Sequence, residues 1–86
     1  MRQRAKRDWN EDQIVRALEA CGIDVWRVSA PGLPDLLTHQ RGKWLPIEVK
    51  GPRGRLTHLQ AVLHQRAKFP IVRTVAEALA LFGVTA

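Results

Sequence analysis

Asp35, Glu48 and Lys50 are the residues of this 86-residue chain whose types and spacing could do chemistry. Asp35 interrupts the apolar run 33–37, where packing gives no reason for a carboxylate. Glu48 and Lys50 lie in the segment 45–50, whose alternating apolar residues predict a strand. Residues two apart in a strand share a face, so Glu48 and Lys50 point the same way, while Leu45, Ile47 and Val49 are expected to point into a core. Two carboxylates and a lysine that converge could hold a divalent cation and position a water beside it.

A β-hairpin is the element that would bring these residues together. The sequence predicts strands at 33–39 and 43–50 with a tight connection at 40–42. An antiparallel pair of this length would place Asp35, near the start of one strand, alongside the end of the next. Pro46 cannot donate a ladder hydrogen bond, so we expect its nitrogen to face an unpaired edge or a bulge.

Hydrophobic periodicity and capping signals predict the other elements of the chain. Before the hairpin, they are a helix from Asp8 to a stop at Gly22 and a strand at 23–29. After it come a helix capped by Thr57, a strand at 70–73, and a helix that opens with the capping box Thr74–Glu77 and ends at Gly83. The helix capped by Thr57 has an apolar stripe that consists of Leu56, Leu59, Val62, Leu63 and Ala67. This order predicts an α/β fold, a mixed sheet flanked by helices. It forms one domain, 8–86, after a basic arm at 1–7.

The charge balance favours a polyanionic partner. Lysine and arginine total 14 against 8 acidic residues, a net charge of +6, and nucleic acid is the first partner that such a balance indicates. Solubility alone could also account for it. The single cysteine, Cys21, excludes an intramolecular disulfide framework. The sequence has no apolar run of membrane-spanning length and no signal-peptide pattern, so we expect a cytoplasmic protein without a membrane partner.

The wider pattern resembles the VRR-NUC branch of the PD-(D/E)xK nuclease superfamily. The similarity spans about 11–82 and is carried by Gly-Leu-Pro-Asp at 32–35, Ile-Glu-Val-Lys-Gly at 47–51 and Gly-Arg-Leu-Thr-His-Leu-Gln at 54–60. It implies a restriction-endonuclease-like core with the site at one sheet edge. It also implies a stand-alone phage or viral type of protein, in a bacterial or virus-infected cell, that acts as a homodimer on branched DNA such as Holliday junctions.

The resemblance also implies a set of site residues. Mg²⁺, with Mn²⁺ able to substitute, would be held by Asp35, Glu48 and the backbone carbonyl of Val49, with Glu11 of the first helix as a further candidate ligand. Lys50 would lie beside the attacking water, either orienting it or accepting its proton. Glu11 and Gln60 would face the catalytic site.

Spacing offers structural alternatives for two of these residues. Glu11 stands three positions after Asp8, and Gln60 three positions after Thr57, so each glutamate or glutamine could instead close a capping box. Spacing alone does not separate capping from catalysis at either position.

Exposed basic and aromatic residues are the candidates for DNA contact. Arg41, Arg53 and Arg55 lie in predicted loops that flank the site and could bind phosphate, as could His58, although ordinary solvation is the alternative for each. The three tryptophans, Trp9, Trp26 and Trp44, could stack on bases. In a chain with no tyrosine and 2 phenylalanines, core or dimer-interface anchors are the favoured interpretation.

These observations together predict a Mg²⁺-dependent, structure-selective DNA endonuclease that hydrolyses phosphodiester bonds. A domain with one site needs a two-fold partner to cut two strands symmetrically, which favours a homodimer. The first alternative is a catalytically inactive nucleic-acid-binding module on the same fold. The second is an interaction protein whose basic surface serves solubility, and it predicts purely salt-driven DNA binding.

Overall fold

The computed structural model describes residues 9–85, so the basic arm and the predicted cap Asp8 lie outside the described residues. Three helices accompany a four-stranded mixed sheet with the strand order β1-β2-β3-β4. The elements are α1 (Asn10–Ala20), β1 (Asp24–Arg27), β2 (Leu36–Gln40), β3 (Lys43–Val49), α2 (His58–Ala67), β4 (Ile71–Val72) and α3 (Val75–Ala80). The predicted element order and α/β class are confirmed.

The predicted hairpin between β2 and β3 is confirmed. The two strands pair antiparallel, with Leu36 opposite Ile47 and Gln40 opposite Lys43. Arg41 and Gly42 make the connection with φ values of 54° and 79°. Two consecutive left-handed residues form the kind of two-residue turn whose twist matches that of the flanking strands.

The strand β2 is shorter at its start than the sequence predicts. The amide of Leu33 donates to the carbonyl of Ala30 at 3.1 Å, and Gly32 between them has a φ of 80°. This turn keeps Leu33 and Pro34 out of the ladder, so β2 begins at Leu36. Only the Asp35 carbonyl extends the pairing, by accepting from the amide of Val28 at 2.7 Å. The first strand is likewise shorter, Asp24–Arg27 instead of 23–29.

The hydrophobic core lies between one face of the sheet and the helices α1 and α3. Ile14 and Leu18, one helical turn apart, are fully buried, and so are Leu36 and Ile47 on the sheet. Since side chains alternate along a strand, the opposite face of β3 carries Trp44, Pro46 and Glu48. The predicted inward direction of Leu45, Ile47 and Val49 is confirmed.

Pairing between β3 and β4 is parallel and short. The amide of Glu48 donates to Pro70 at 2.9 Å, and that of Lys50 donates to Val72 at 3.0 Å. The nitrogen of Pro46, two residues earlier, points to the same side but lies beyond the reach of β4. The predicted unpaired edge at Pro46 is therefore confirmed, and proline interrupts no ladder bond there.

The second helix, α2, does not bury its predicted apolar stripe. Leu59 and Val62 are 56% and 44% exposed, and Gln60 is the one buried residue of this helix. Much of this stripe is exposed because α2 begins over the sheet face that carries Glu48 and Lys50, which is polar there. By contrast, the capping box Thr74–Glu77 at the start of α3 is confirmed.

The helices in the described part of the chain are too short or too polar to cross a lipid bilayer.

Candidate functional site

Asp35 and Glu48 meet at the end of the β2–β3 hairpin, as the sequence predicts. Asp35 lies in the bend that precedes β2, and its Oδ2 atom accepts a hydrogen bond from the amide of Val49 at 2.9 Å. This bond fixes a half-buried carboxylate beside the last residues of β3. Because β3 lies between β2 and β4, the site is at a strand end and not on an outermost strand.

Glu48 is a carboxylate that is almost fully removed from water, with 1% of its side chain exposed. Burial, the negative charge of Asp35 and a hydrogen bond with the Asp35 carboxyl group raise the pKa of Glu48 from 4.5 to about 7, although Lys50 opposes the change. Desolvation and a neighbouring like charge both disfavour the ionised carboxylate. The folded chain therefore holds a carboxyl pair that retains a proton until near neutral pH.

The hydrogen-bond partners of the two Glu48 carboxylate oxygens indicate whether a divalent cation fits this site. Oε2 accepts from Gln60 and contacts Lys50, and Oε1 is buried without a donor when the pair is ionised, because the hydrogen bond with Asp35 exists only while the pair retains a proton. An acceptor without a donor, next to a second carboxylate, is a place where a cation would be stabilised. Mg²⁺ commonly takes one or two carboxylates and keeps several waters, so Asp35 and Glu48 fit such an ion.

Further metal ligands would have to come from the backbone or from water. Among residues 9–85, no group of three or more His, Cys, Asp or Glu side chains is positioned to hold a metal ion. The carbonyl of Val49 stays a prediction as a ligand. Its amide is already used, since it donates to Asp35.

Lys50 is held on the same side of β3 as Glu48, as two-residue spacing predicts. Its Nζ atom is 3.3 Å from Glu48 Oε2, and 13% of its side chain is exposed. Its main chain is also fixed, because its carbonyl accepts from Asn10 Nδ2 at 3.1 Å. A lysine ammonium has three donors, so contact with Glu48 leaves capacity to bind a water or a phosphate oxygen.

Gln60 both closes the capping box at the start of α2 and contacts the carboxylate site. Its Oε1 atom accepts from the Thr57 amide at 2.9 Å, and its own amide donates to Thr57 Oγ1 at 3.2 Å, which completes the capping box. Its Nε2 atom donates to Glu48 Oε2 at 2.9 Å. The two alternatives that spacing leaves open are therefore compatible, because they use opposite ends of one amide.

Glu11 forms an ion pair with Arg27 of strand β1. Arg27 Nη1 is 2.7 Å from Glu11 Oε2, and Arg27 Nη2 is 2.8 Å from Asp12 Oδ1. Glu11 is 2% exposed. Trp9 holds the cap position of α1 and makes no side-chain capping bond, and the predicted capping partner of Glu11, Asp8, lies outside the described residues. The role of Glu11 as a metal ligand stays a prediction, and its observed ion pair is structural.

The basic candidates for DNA contact separate into two groups. Arg53 and Arg55 are exposed in the loop after Lys50, which folds back so that Gly54 lies against the Lys50 side chain, and His58 is exposed at the start of α2. Arg41 is exposed at the hairpin turn, at the other end of β3. At a rise of about 3.3 Å per residue, Arg41 lies roughly 20 Å along the strand from Glu48, so its predicted place beside the site is wrong.

The tryptophans are not core residues. Trp9, Trp26 and Trp44 are 70%, 48% and 58% exposed, and the rings of Trp26 and Trp44 stack with their centroids 5.5 Å apart. The predicted core role is wrong because both strand tryptophans occupy the sheet face opposite α1 and α3. Their role as dimer anchors stays a prediction.

Asn10 and Arg73 are site-supporting residues that sequence reasoning does not find. Asn10 is 4% exposed, and its Nδ2 atom bridges the carbonyls of Lys50 and Arg73 at 3.1 and 2.9 Å. Arg73 Nη1 donates to the carbonyl of Gly51 at 2.6 Å. Both side chains bind backbone far away in the sequence, and no spacing pattern signals such contacts.

Comparisons of the chain with protein-family models, with curated proteins and with solved structures return no match.

Proposed function

We propose that the protein is a metal-dependent DNA endonuclease that hydrolyses phosphodiester bonds at the site formed by Asp35, Glu48 and Lys50. The observation that supports this most is the buried acceptor Glu48 Oε1 beside a second carboxylate. A protein with no use for a cation would gain stability by replacing such a pair with apolar or neutral groups. The net charge of +6 favours a polyanionic substrate.

In this proposal Asp35 and Glu48 hold Mg²⁺, or Mn²⁺ in its place. When bound, the ion supplies charge neutralisation for the scissile phosphate and promotes ionisation of the attacking water. The chain has already fixed both carboxylates. Val49 donates to Asp35, and Gln60 donates to Glu48, so neither ligand has to be ordered when the ion arrives.

Lys50 contributes the positive charge next to this pair. Its ammonium lies 3.3 Å from Glu48 Oε2 in a site that is only slightly open to water, where electrostatic interactions are stronger than in bulk solvent. It would orient the attacking water or bind a phosphate oxygen. Asn10, through the Lys50 carbonyl, would keep the strand end in place while this happens.

The substrate in this proposal is branched DNA, cut by a homodimer with two sites related by a two-fold axis. Residues 9–85 form a single site of this kind, and symmetric cutting of two strands requires two. The sequence of the described part of the chain, 9–85, contains no recognisable motif that reads base sequence. DNA shape is therefore the expected basis of selection.

The test is cleavage of labelled four-way junction, flap, duplex and single-stranded DNA with Mg²⁺ or Mn²⁺. Asp35→Asn and Lys50→Met should abolish cutting and preserve DNA binding, because they remove the reacting groups with little change in side-chain volume. Glu19→Gln, an exposed acid on α1, is the matched control and should cut like wild type. Wild-type protein that binds these DNAs but never cuts them would instead be a catalytically inactive binding module.

A further inference from the structure

We propose that Trp26 and Trp44 form a platform on which unpaired DNA bases stack while the backbone of the same strand reaches the carboxylate site. This inference rests on the proposed function for the identity of the nucleic acid, and it adds the substrate feature that the surface selects. The feature is a short unpaired stretch next to the cut.

The two indole rings already form an exposed aromatic surface on which a base can stack. Their planes are inclined by 26° and their centroids are 5.5 Å apart, with about half of each residue exposed. Large apolar side chains grouped on a surface commonly mark a binding site. Stacking on an aromatic ring tolerates any base, because every base has a π face.

The ring of His39 packs against Trp44 and supports it in this position. The ring of His39 lies 4.7 Å from that of Trp44. His39 is itself held at both nitrogens, by Asp24 Oδ2 at 3.0 Å and by the amide of Gly42 at 3.2 Å. An aromatic group that is already fixed loses little side-chain entropy when a base stacks on it.

The platform is on the same face of the sheet as the carboxylate pair. Trp44, Pro46 and Glu48 are alternate residues of β3, so their side chains point to one side. Trp44 and Glu48 are four positions apart, roughly 13 Å along the strand. This is about the length of four stacked nucleotides at 3.4 Å each, so a DNA strand stacked on the platform can bring a phosphate to the partly exposed Asp35 and Lys50, which border the buried Glu48.

Charge on this surface favours a polyanion over a second copy of the chain. Arg41 is exposed at the hairpin turn near Trp44, and Arg53 is exposed in the loop beyond the other end of β3, against one exposed acid of the described residues on this face, Asp24. These cations lie at the two ends of the proposed strand path, where they can contact phosphates. Two copies that met here would bring like charges together, which disfavours their association.

The experiment measures binding of labelled oligothymidine and of a blunt duplex without metal, so that no cleavage can occur. Trp44→Thr removes the ring but keeps a residue suited to strands, and Trp44→Phe keeps a smaller ring. We expect Trp44→Thr to weaken oligothymidine binding roughly 10-fold, because stacking on one aromatic side chain commonly contributes that much. Trp44→Phe should lose less, and duplex binding should not change.

Leu81→Ala is the matched control, since Leu81 is a partly exposed apolar residue at the end of α3, which packs on the opposite face of the sheet. Its affinity for oligothymidine should equal that of wild type. As a readout that needs no variant, oligothymidine should quench the tryptophan fluorescence of wild-type protein, and duplex should not.

Equal oligothymidine affinity of Trp44→Thr and wild type, or absence of quenching in wild type, would overturn the inference. It would also be overturned if Trp44→Thr converted a dimer to a monomer in sedimentation, since the face would then join two copies. If the Trp44→Thr protein cleaves the junction at the wild-type rate, the platform is refuted, but the proposed nuclease activity is not. Platform binding without any cleavage would refute the nuclease alone.

Discussion

Glu48→Gln should make the metal-free protein more stable at neutral and alkaline pH. The ionised Glu48 side chain is buried beside Asp35, and both burial and that charge raise its pKa to about 7. Glutamine has nearly the same shape as a protonated glutamate. It can still accept from Gln60 and can donate to Asp35, so it removes the buried charge and keeps the hydrogen bonds.

The magnitude follows from the two pKa values of Glu48. The ordinary value is 4.5 and the folded value is about 7, and each unit of difference corresponds to about 1.4 kcal/mol. Ionised Glu48 therefore costs the folded state about 3 kcal/mol. The folded state binds the proton more tightly, so the free energy of unfolding falls as pH rises from 4.5 to about 7 and then levels off.

Urea unfolding followed by tryptophan fluorescence, without metal, measures this difference. At about pH 8 the Glu48→Gln protein should exceed wild type by about 3 kcal/mol, and at about pH 4 the two should be nearly equal. Glu19→Gln is the control, because Glu19 is exposed on α1, and it should follow wild type at both pH values. A Glu48→Gln protein that is no more stable than wild type at the higher pH would refute the reasoning.

Three further predictions concern the same site. Adding Mg²⁺ at about 100 times its dissociation constant should stabilise wild type by about 2.7 kcal/mol in thermal unfolding and leave Glu48→Gln unchanged; equal shifts would contradict a site at Glu48. Gln60→Glu should keep α2 folded, since glutamate also closes a capping box with Thr57, and should raise the Mg²⁺ affinity measured by calorimetry, because it places a third carboxylate next to Glu48; unchanged affinity would contradict this. Asn10→Ala should lower the free energy of unfolding by about 1–3 kcal/mol, because it leaves the buried Lys50 carbonyl without its donor, and a change below about 0.5 kcal/mol in urea unfolding would show that the contact is unimportant.

The hairpin and its chemistry are the part of the structure that the sequence predicts best. The turn at Arg41-Gly42 has the chemistry of a two-residue connection, and alternation places Glu48 and Lys50 on one side of β3. These are local signals, which depend on neighbouring residues and on the pleat of a strand. For the same reason the capping boxes at Thr57 and Thr74 are predictable.

The exposed faces are not predictable in the same way. Both sets of alternate residues in β3 contain large apolar side chains, Trp44 and Pro46 in one set and Leu45 and Ile47 in the other. Alternation predicts the inward direction of Leu45, Ile47 and Val49, but it does not say whether the opposite face, with Trp44, is also covered. Packing of α1 and α3 decides that, and it leaves Trp44 in solvent.

The contacts of Asn10 and Glu11 are unpredictable for a different reason. Asn10 binds the carbonyls of Lys50 and Arg73, which are 40 and 63 positions away. Glu11 binds Arg27, 16 positions away. Such pairings depend on how α1 lies against the ends of β1, β3 and β4, and side-chain type alone carries no information about that arrangement.

The most direct test of the central claim is Mg²⁺-dependent cleavage of a labelled four-way junction by wild type and by Glu48→Gln, purified identically and assayed where both are folded. If Glu48 holds the metal ion, the variant should bind the junction and be more stable than wild type without metal, yet cut none of it. Glu48→Gln protein that cuts at the wild-type rate would contradict the claim, because the buried carboxylate would then have no part in the reaction.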